Sequence, residues 1–412
     1  MRYSLPVAFL AMLGLTAPAL GDEFETRMAT CGDAAAVPDA IVEACSWLFD
    51  SGRLGRYAIP TTYLNRGSAY IRLGNYEQAL DDLGRALARN PGMARALVKR
   101  GIANSYTGRN IHAIRDLDKA IGIRPSDPEA FIGRAQAYRN QGDMDRARSD
   151  LDRAIKLDPD NADAWFNRGS LNKAVGDYQT AVADYSKTVE LRPDYEEAYV
   201  NRAVVYGLLE EPDKAVADYS KAIELRPGAL VARHNRGVTY GKMGEIDRSI
   251  ADLDKAIELD SSYTLAYFSR GHAHMLAKRY DRAIEDYGQV LARAPGHADA
   301  LRSRGAAYLA AGDIKRALED LDRSVEIEPG NPETYVDRGR ARLAKGDAQA
   351  ALNDFDRAIR RNPEHAGAFA ARAKAQEKLK KPDAALADYE RAHELGDKSE
   401  EVVAKLKAAG KL

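Results

Sequence analysis

The sequence predicts an all-α protein built from one helix pair repeated ten times, and three observations predict it. Prolines recur at 34-residue steps: Pro91, Pro125, Pro159, Pro193, Pro227, then Pro295, Pro329 and Pro363, with Ser261 at the missed step. With Pro60 as position 1 of repeat 1, positions 8 and 20 are small in all ten repeats, and position 24 is large, as in Leu83, Tyr185, Tyr219, Phe355 and Tyr389. Small against large at helical spacing is how two amphipathic helices close on each other. Position 15 is Gly in seven repeats (Gly74, Gly108, Gly142, Gly176, Gly244, Gly312, Gly346), the residue favoured where a helix ends with positive φ.

Residues 1–21 form a separate block. Met1-Arg2 precedes an apolar run from Leu5 to Leu15 and small residues at Ala17, Ala19 and Gly21, the pattern of a secretory signal. Cleavage is expected after Ala19 or Gly21, the alternative being a retained anchor; the run is short for a spanning helix, and no later segment is apolar enough to cross a membrane. Residues 22–59 are expected to cap the array. There Cys31 lies in a strap before a helix starting near Pro38-Asp39, and Cys45 lies within that helix. In an oxidising compartment these two cysteines are expected to pair rather than remain free thiols, contributing roughly 3 kcal/mol by loop closure. Repeats fill 60–399, leaving no room for a second domain. Where the turn Gly is missing, at Glu210 and Lys380, Pro212 and Pro382 can start the next helix instead. Residues 400–412 are expected to form a capping helix, with Asp397 and Glu400 at capping-box spacing, Val402, Val403 and Leu406 facing inward, and Lys405, Lys407 and Lys411 in solvent.

Composition excludes several functions. Lys+Arg 61 against Asp+Glu 62 leaves a net charge of -1, which gives no bulk attraction for nucleic acid or an anionic membrane. There is no phosphate loop, nucleophile elbow or zinc-helix motif, and His272 and His274 are two apart on a helix, where they do not share a face. Trp165 at position 4 reads as core packing rather than a base-stacking platform. No enzyme activity, cofactor or metal is expected.

The repeat as a whole resembles the tetratricopeptide repeat: aromatic or Leu near position 4, small at 8, Tyr near 11, small at 20, aromatic at 24, small at 27 and Pro at 32, with Ala164-Trp165 through Pro193 close to the consensus. The resemblance covers Pro60 to Ser399 and implies an α-solenoid, a right-handed superhelix whose first helices line a concave groove. The signal and repeat sequence are similar to bacterial exported members, so periplasmic or secreted placement is expected.

One departure is regular. Position 7 is Arg in all ten repeats (Arg66, Arg100, Arg134 and so on to Arg372) and position 23 is Asp in all ten (Asp82 to Asp388). Strict co-occurrence reads as Arg–Asp bridging, within or between repeats, rather than as a line of arginines awaiting an anion.

The function implied is a non-enzymatic scaffold that binds a protein or peptide partner, the alternative being a dedicated regulatory subunit of a cell-envelope enzyme such as a cell-wall hydrolase. Oligomeric state is left open. The carboxylate clamp of co-chaperone repeats is absent, since position 5 is mostly apolar. Position 6, however, is Asn65, then Asn167, Asn201 and Asn235 in three successive repeats. This is similar to the asparagine ladder of O-GlcNAc transferase repeats, which grips peptide backbone. A carboxamide both donates to a C=O and accepts from an N–H, although Asn can equally bond its own helix. Phe166, Val200, Val204 and Val238 would add apolar contact.

Overall fold

A computed structural model describes residues 20–412, with side chains from residue 23 onward. The signal expected at 1–21 thus falls almost wholly outside the described residues, which contain 23 helices and no strand. The chain divides into two compact parts, Met1–Val205 and Tyr206–Leu412. The first holds α1 (Leu20–Gly32), α2 (Pro38–Asp50), α3 (Ala58–Arg72), α4 (Tyr76–Arg89), α5 (Ala94–Tyr106), α6 (Asn110–Ile123), α7 (Pro128–Asn140), α8 (Met144–Leu157), α9 (Ala162–Ala174), α10 (Tyr178–Leu191) and most of α11 (Glu196–Leu208). The second holds α12 (Pro212–Leu225), α13 (Leu230–Lys242), α14 (Ile246–Leu259), α15 (Thr264–Leu276), α16 (Tyr280–Arg293), α17 (Ala298–Ala310), α18 (Ile314–Ile327), α19 (Pro332–Lys345), α20 (Ala348–Arg361), α21 (Ala366–Lys378), α22 (Pro382–Glu394) and α23 (Glu400–Ala408).

From α3 to α22, odd-numbered helices are first helices of repeats and even-numbered ones second helices, and α23 caps the last repeat. In the N-terminal part each helix from α1 to α10 packs on the next, and α1, α3, α5, α7 and α9 also lie side by side. In the C-terminal part α12 to α23 pack consecutively, and α13 on α15, α17 on α19 and α19 on α21 repeat the side-by-side contact. Several second helices start on an Asp that accepts a backbone N–H, as Asp143 does from Arg146 and Asp313 from Arg316.

In the seven repeats with Gly at position 8 the helices of a pair approach so closely that no side chain fits there, whereas Ala135, Ala203 and Ala373 occupy it in the other three. A Cβ on Gly339 would lie 2.5 Å from Phe355 Cε1, and one on Gly101 2.6 Å from Leu117 Cγ. Each large residue is the position-24 residue of the same repeat, and all ten of these are at most 4 % exposed.

At position 15 the seven glycines have φ between 75° and 95°. Where the glycine is missing, the expected prolines start the next helix and the left-handed residue remains as well. Pro212 and Pro382 do open α12 and α22, but Glu210 (φ 59°) and Lys380 (φ 57°) still adopt the left-handed conformation, and Lys278 (φ 57°) does so without a following proline. The pair geometry requires this conformation whatever residue stands there, because it aims the second helix back along the first.

Both ends differ in detail from expectation. Cys31 and Cys45 are disulfide-bonded, with Cα atoms 5.1 Å apart, but Cys31 sits in α1 rather than in a strap. The pair α1–α2 therefore resembles a repeat, with Ile41, Ala44 and Leu48 buried against Ala69 of α3 and Arg72 Nη1 donating to Ala34 O and Ala36 O. At the other end Val402 and Leu406 of α23 are buried on Phe369 and Tyr389. No capping box forms there. Ser399 takes the N-cap position, and Asp397 Oδ1 instead accepts from Ser399 N at 2.9 Å. Lys405 and Lys411 are not simply solvated, since they pair with Glu377 and Glu390.

Two outcomes follow for stability. Gly339→Ala should destabilise the chain by about 1–3 kcal/mol, because the fully buried Phe355 ring cannot move aside; urea titration of the variant checks this. Lys278→Gly should stabilise it by roughly 0.5–1 kcal/mol by relieving left-handed backbone, read as a raised thermal midpoint.

Candidate partner-binding face

The charged positions settle the geometry first. In repeats 1–4 and 6–10 the position-7 Arg forks onto the position-23 Asp of its own repeat, with Nε and Nη2 each 2.6–3.1 Å from a carboxylate oxygen. The third nitrogen, Nη1, reaches back to position 25 of the preceding repeat. It meets Asp118 from Arg134 (2.6 Å), Asp322 from Arg338 (2.8 Å) and Ser186 from Arg202 (3.0 Å). The bridge is thus both within and between repeats. Where position 25 is Gly84 or Gly288, Arg100 and Arg304 keep the fork alone. Arg66 finds Ser46 of α2, so the N-terminal pair supplies the missing earlier repeat. Hydrogen bonding to Asp150 holds the Arg134 guanidinium above its ordinary range. These arginines are occupied and are not a ligand site.

The expected contact residues lie on first helices, in two groups. Asn65 is half-buried on α3, separated from the others by repeats with Lys99 and Gly133 at position 6. In the N-terminal part Asn167 stands on α9 and Asn201 on α11. Each Nδ2 donates to the carbonyl four residues back, Asp163 O and Glu197 O, both at 2.8 Å. Asn201 Oδ1 also accepts from Lys173 Nζ. Helix bonding therefore takes one N–H of each amide, leaving a second N–H and acceptor capacity on the oxygen. Phe166 beside them is a packing residue, with ring centroids 4.8 Å from Tyr195 and 5.7 Å from Tyr185. Val200 and Val204 are half-buried on α11.

In the C-terminal part Asn235 on α13 is held differently. His234 Nδ1 lies 3.2 Å from Asn235 Oδ1 and His234 Nε2 lies 3.0 Å from Ser269 Oγ. Burial pushes the His234 pKa down, so a neutral ring donating from Nδ1 and accepting at Nε2 fits both contacts. The Asn235 side chain also hydrogen-bonds Tyr219, whose hydroxyl burial raises to about 12. Val238 lines a mostly apolar cavity of about 290 Å³ with Gly241, Ser269, His272 and Leu276, the last of these 63 % exposed.

Three residues of this face were missed in the sequence. Leu276 lies beside Val238 in the C-terminal part and the position-12 pair Arg139 and Lys173 beside Asn167 and Asn201 in the N-terminal part, and the signal for the pair was two successive cations in a column that is otherwise uncharged except at Glu377 (Ile71, Ser105, Gly207, Gly241, Met275, Leu309, Leu343). His272 and His274 do diverge: His272 Nδ1 lies 3.2 Å from Tyr287 Oη, whereas His274 is buried near Asp286. Trp165 is half-buried and donates Nε1 to Pro159 O at 2.8 Å. Among the described residues no cluster of three metal-ligating side chains occurs, and no helix is long and apolar enough to cross a membrane.

Profiles described as tetratricopeptide repeat match residues 60–93, 135–206, 196–228, 234–294, 278–332 and 336–400. No curated protein matches the sequence. Among solved structures, a tetratricopeptide repeat protein from Parabacteroides merdae is 22% identical at TM-score 0.50, covering 61% of this chain and 99% of its own. Yeast Tom70 is 14% identical at TM-score 0.45, covering 95% of this chain and 93% of its own. YrrB, described as a TPR protein with an unusual peptide-binding site, is 25% identical at TM-score 0.36 over 47% of this chain and 98% of its own.

Arg304 gives the cleanest test of the bridge, since it keeps the fork alone over an Asp320 whose side chain is 7% exposed. Arg304→Met should cost about 3–5 kcal/mol by stranding that carboxylate, measured by chemical denaturation against Arg338→Met, which should cost less because Arg342 Nη1 stays 2.9 Å from Asp354.

Proposed function

Because the chain belongs to the tetratricopeptide repeat family, we propose that it is a protein–protein interaction scaffold that holds an extended segment of a partner along its first helices. The observation that carries this reading is the pair of carboxamides at Asn167 and Asn201. Each is fixed by one bond to its own helix, so its rotamer is set before binding, and each keeps an N–H and an acceptor for peptide main chain. Main-chain recognition of this kind leaves partner side chains free to be sorted by the neighbouring residues, here Phe166, Val200 and Val204. Asn235 with Val238 offers the same pairing of amide and apolar contact in the C-terminal part. Asn65, with no position-6 amide in the next two repeats, is assigned the weakest contact.

Partners recovered by affinity purification of the full chain test the amides. Asn167→Ala with Asn201→Ala should weaken binding by roughly 1–3 kcal/mol with little change in unfolding, and Asn235→Ala is measured separately. Full affinity in both variants for every partner would remove the amides from the site.

We also propose that the protein is exported, as a periplasmic or secreted chain of bacterial type. The apolar run Leu5–Leu15 ahead of small residues supports this, as does a disulfide that persists in an oxidising compartment. Mass spectrometry of protein from the envelope fraction should find a chain starting after Ala19 or Gly21; an intact Met1 in a cytoplasmic fraction contradicts it.

A further inference from the structure

Arg139 and Lys173 occupy position 12 of repeats 3 and 4, on α7 and α9, which lie side by side. Both are half-buried. Arg139 Nη2 donates to Gln136 Oε1 at 2.6 Å, Gln136 donates to Asn140 Oδ1 at 2.8 Å, and Asn140 donates to Ser105 O at 3.1 Å. Lys173 donates to Asn201 Oδ1, one of the two amides assigned to the partner's main chain. The arginine end therefore rests on an amide chain running back to α5, and the lysine end on the binding face itself.

Neither has a counter-ion. Arginines at position 7 of nine repeats fork onto an aspartate, Arg302 and Arg342 find Asp337 and Asp354, and Arg233, half-buried on α13 without an acid, rests on the Pro227 carbonyl instead. Among the described residues no carboxylate reaches Arg139 or Lys173. The charged or titratable groups around Arg139 are the Tyr185 and Tyr106 hydroxyls and Lys173, and the one that faces Lys173 is Arg139. Burial pushes both pKa values down, and the like charge lowers Lys173 further. Two like charges partly withdrawn from water, bonded only to neutral amides, raise the energy of the free protein. Met or Leu would fill the same space without that cost. A carboxylate brought by a partner removes it.

We propose that Arg139 and Lys173 receive the side-chain carboxylate of a Glu or Asp within the extended partner segment. This rests on the reading in which Asn167 and Asn201 hold that segment's main chain. The segment continues past Lys173 along Asn201, Val200 and Val204 of α11, so partner residues lie on both sides of the cations and the acid is a side chain, not a chain terminus. A void of about 10 Å³ between α7, α8 and α9 is bordered by Arg139 and Asn167 together with Gln136, Ala147 and Leu151, so this cation and this amide are neighbours.

The probe is an acetylated, amidated decapeptide of alternating Glu and Ala, compared by calorimetry on the full chain with its Gln/Ala counterpart and with a Gln/Ala peptide left with a free terminal carboxylate. The Glu peptide should bind at least about tenfold tighter than either. Arg139→Met and Lys173→Met, which keep the alkyl stems, should each abolish most of that preference, while Lys315→Gln, an exposed cation, leaves it intact. In the absence of peptide the two Met variants should keep or raise the thermal midpoint, whereas Arg168→Met lowers it. Equal binding of Glu and Gln peptides, preference for the free terminus, an equal loss in Lys315→Gln, or a midpoint drop in Arg139→Met like that of Arg168→Met would each overturn the proposal. If the Gln peptide binds and depends on Asn167 and Asn201, the main-chain reading survives that failure; if no peptide binds, both fall.

Discussion

The fork from each position-7 Arg to its position-23 Asp is the constraint on which the repeat depends. The aspartates are nearly withdrawn from water, at most 10 % exposed, so each requires a fixed cation at short range. A planar guanidinium meets two oxygens only in one plane and at one distance, which sets how far apart the two helices stand. Position 8 follows directly after that Arg, on the part of the helix drawn inward. The absence of a Cβ at Gly339 or Gly271 is the steric counterpart of the ionic contact next to it.

Much of this was legible because it repeats. A column of ten residues reports a shared environment without an alignment, and the Arg and Asp columns name each other as partners. Single-copy features gave no such signal. Ser46 stands in for a preceding repeat, but nothing periodic marks it. α1 has a weak apolar pattern, so its helical form is decided by packing and by the disulfide rather than by local sequence. The left-handed Lys278 was equally hidden, since the pair geometry overrides the preference of the residue itself. At the site, the amides were readable as a column, whereas their bonds to Asp163 O and Glu197 O depend on rotamers that sequence does not encode.

The proposed binding face and the scaffold divide their polar groups by different rules. Scaffold charges are closed circuits: each of the forking arginines meets one or two acids, and the position-23 acid is buried by it. On the proposed face at α7, α9 and α11 the groups are half-satisfied amides and two cations without acids. A surface of that kind is stable only because the helices bearing it are fixed from behind by the forks, which leaves its side chains free of structural duty.

The backward reach of Nη1 gives the array a direction in time as well as in space. When the first helix of a repeat emerges, its own Asp lies sixteen residues ahead and has not yet appeared, but the acceptor at position 25 of the preceding repeat has already been made, as with Asp118 for Arg134 or Asp356 for Arg372. A chain delivered from its N-terminus can therefore fasten a new helix to what precedes it before its partner helix arrives, except at Arg100 and Arg304, where Gly84 and Gly288 offer no acceptor. Such an order resembles a zipper with a disulfide-closed starting clip and two teeth missing, and at those two repeats the first helix has no arm of its arginine engaged until its own Asp arrives.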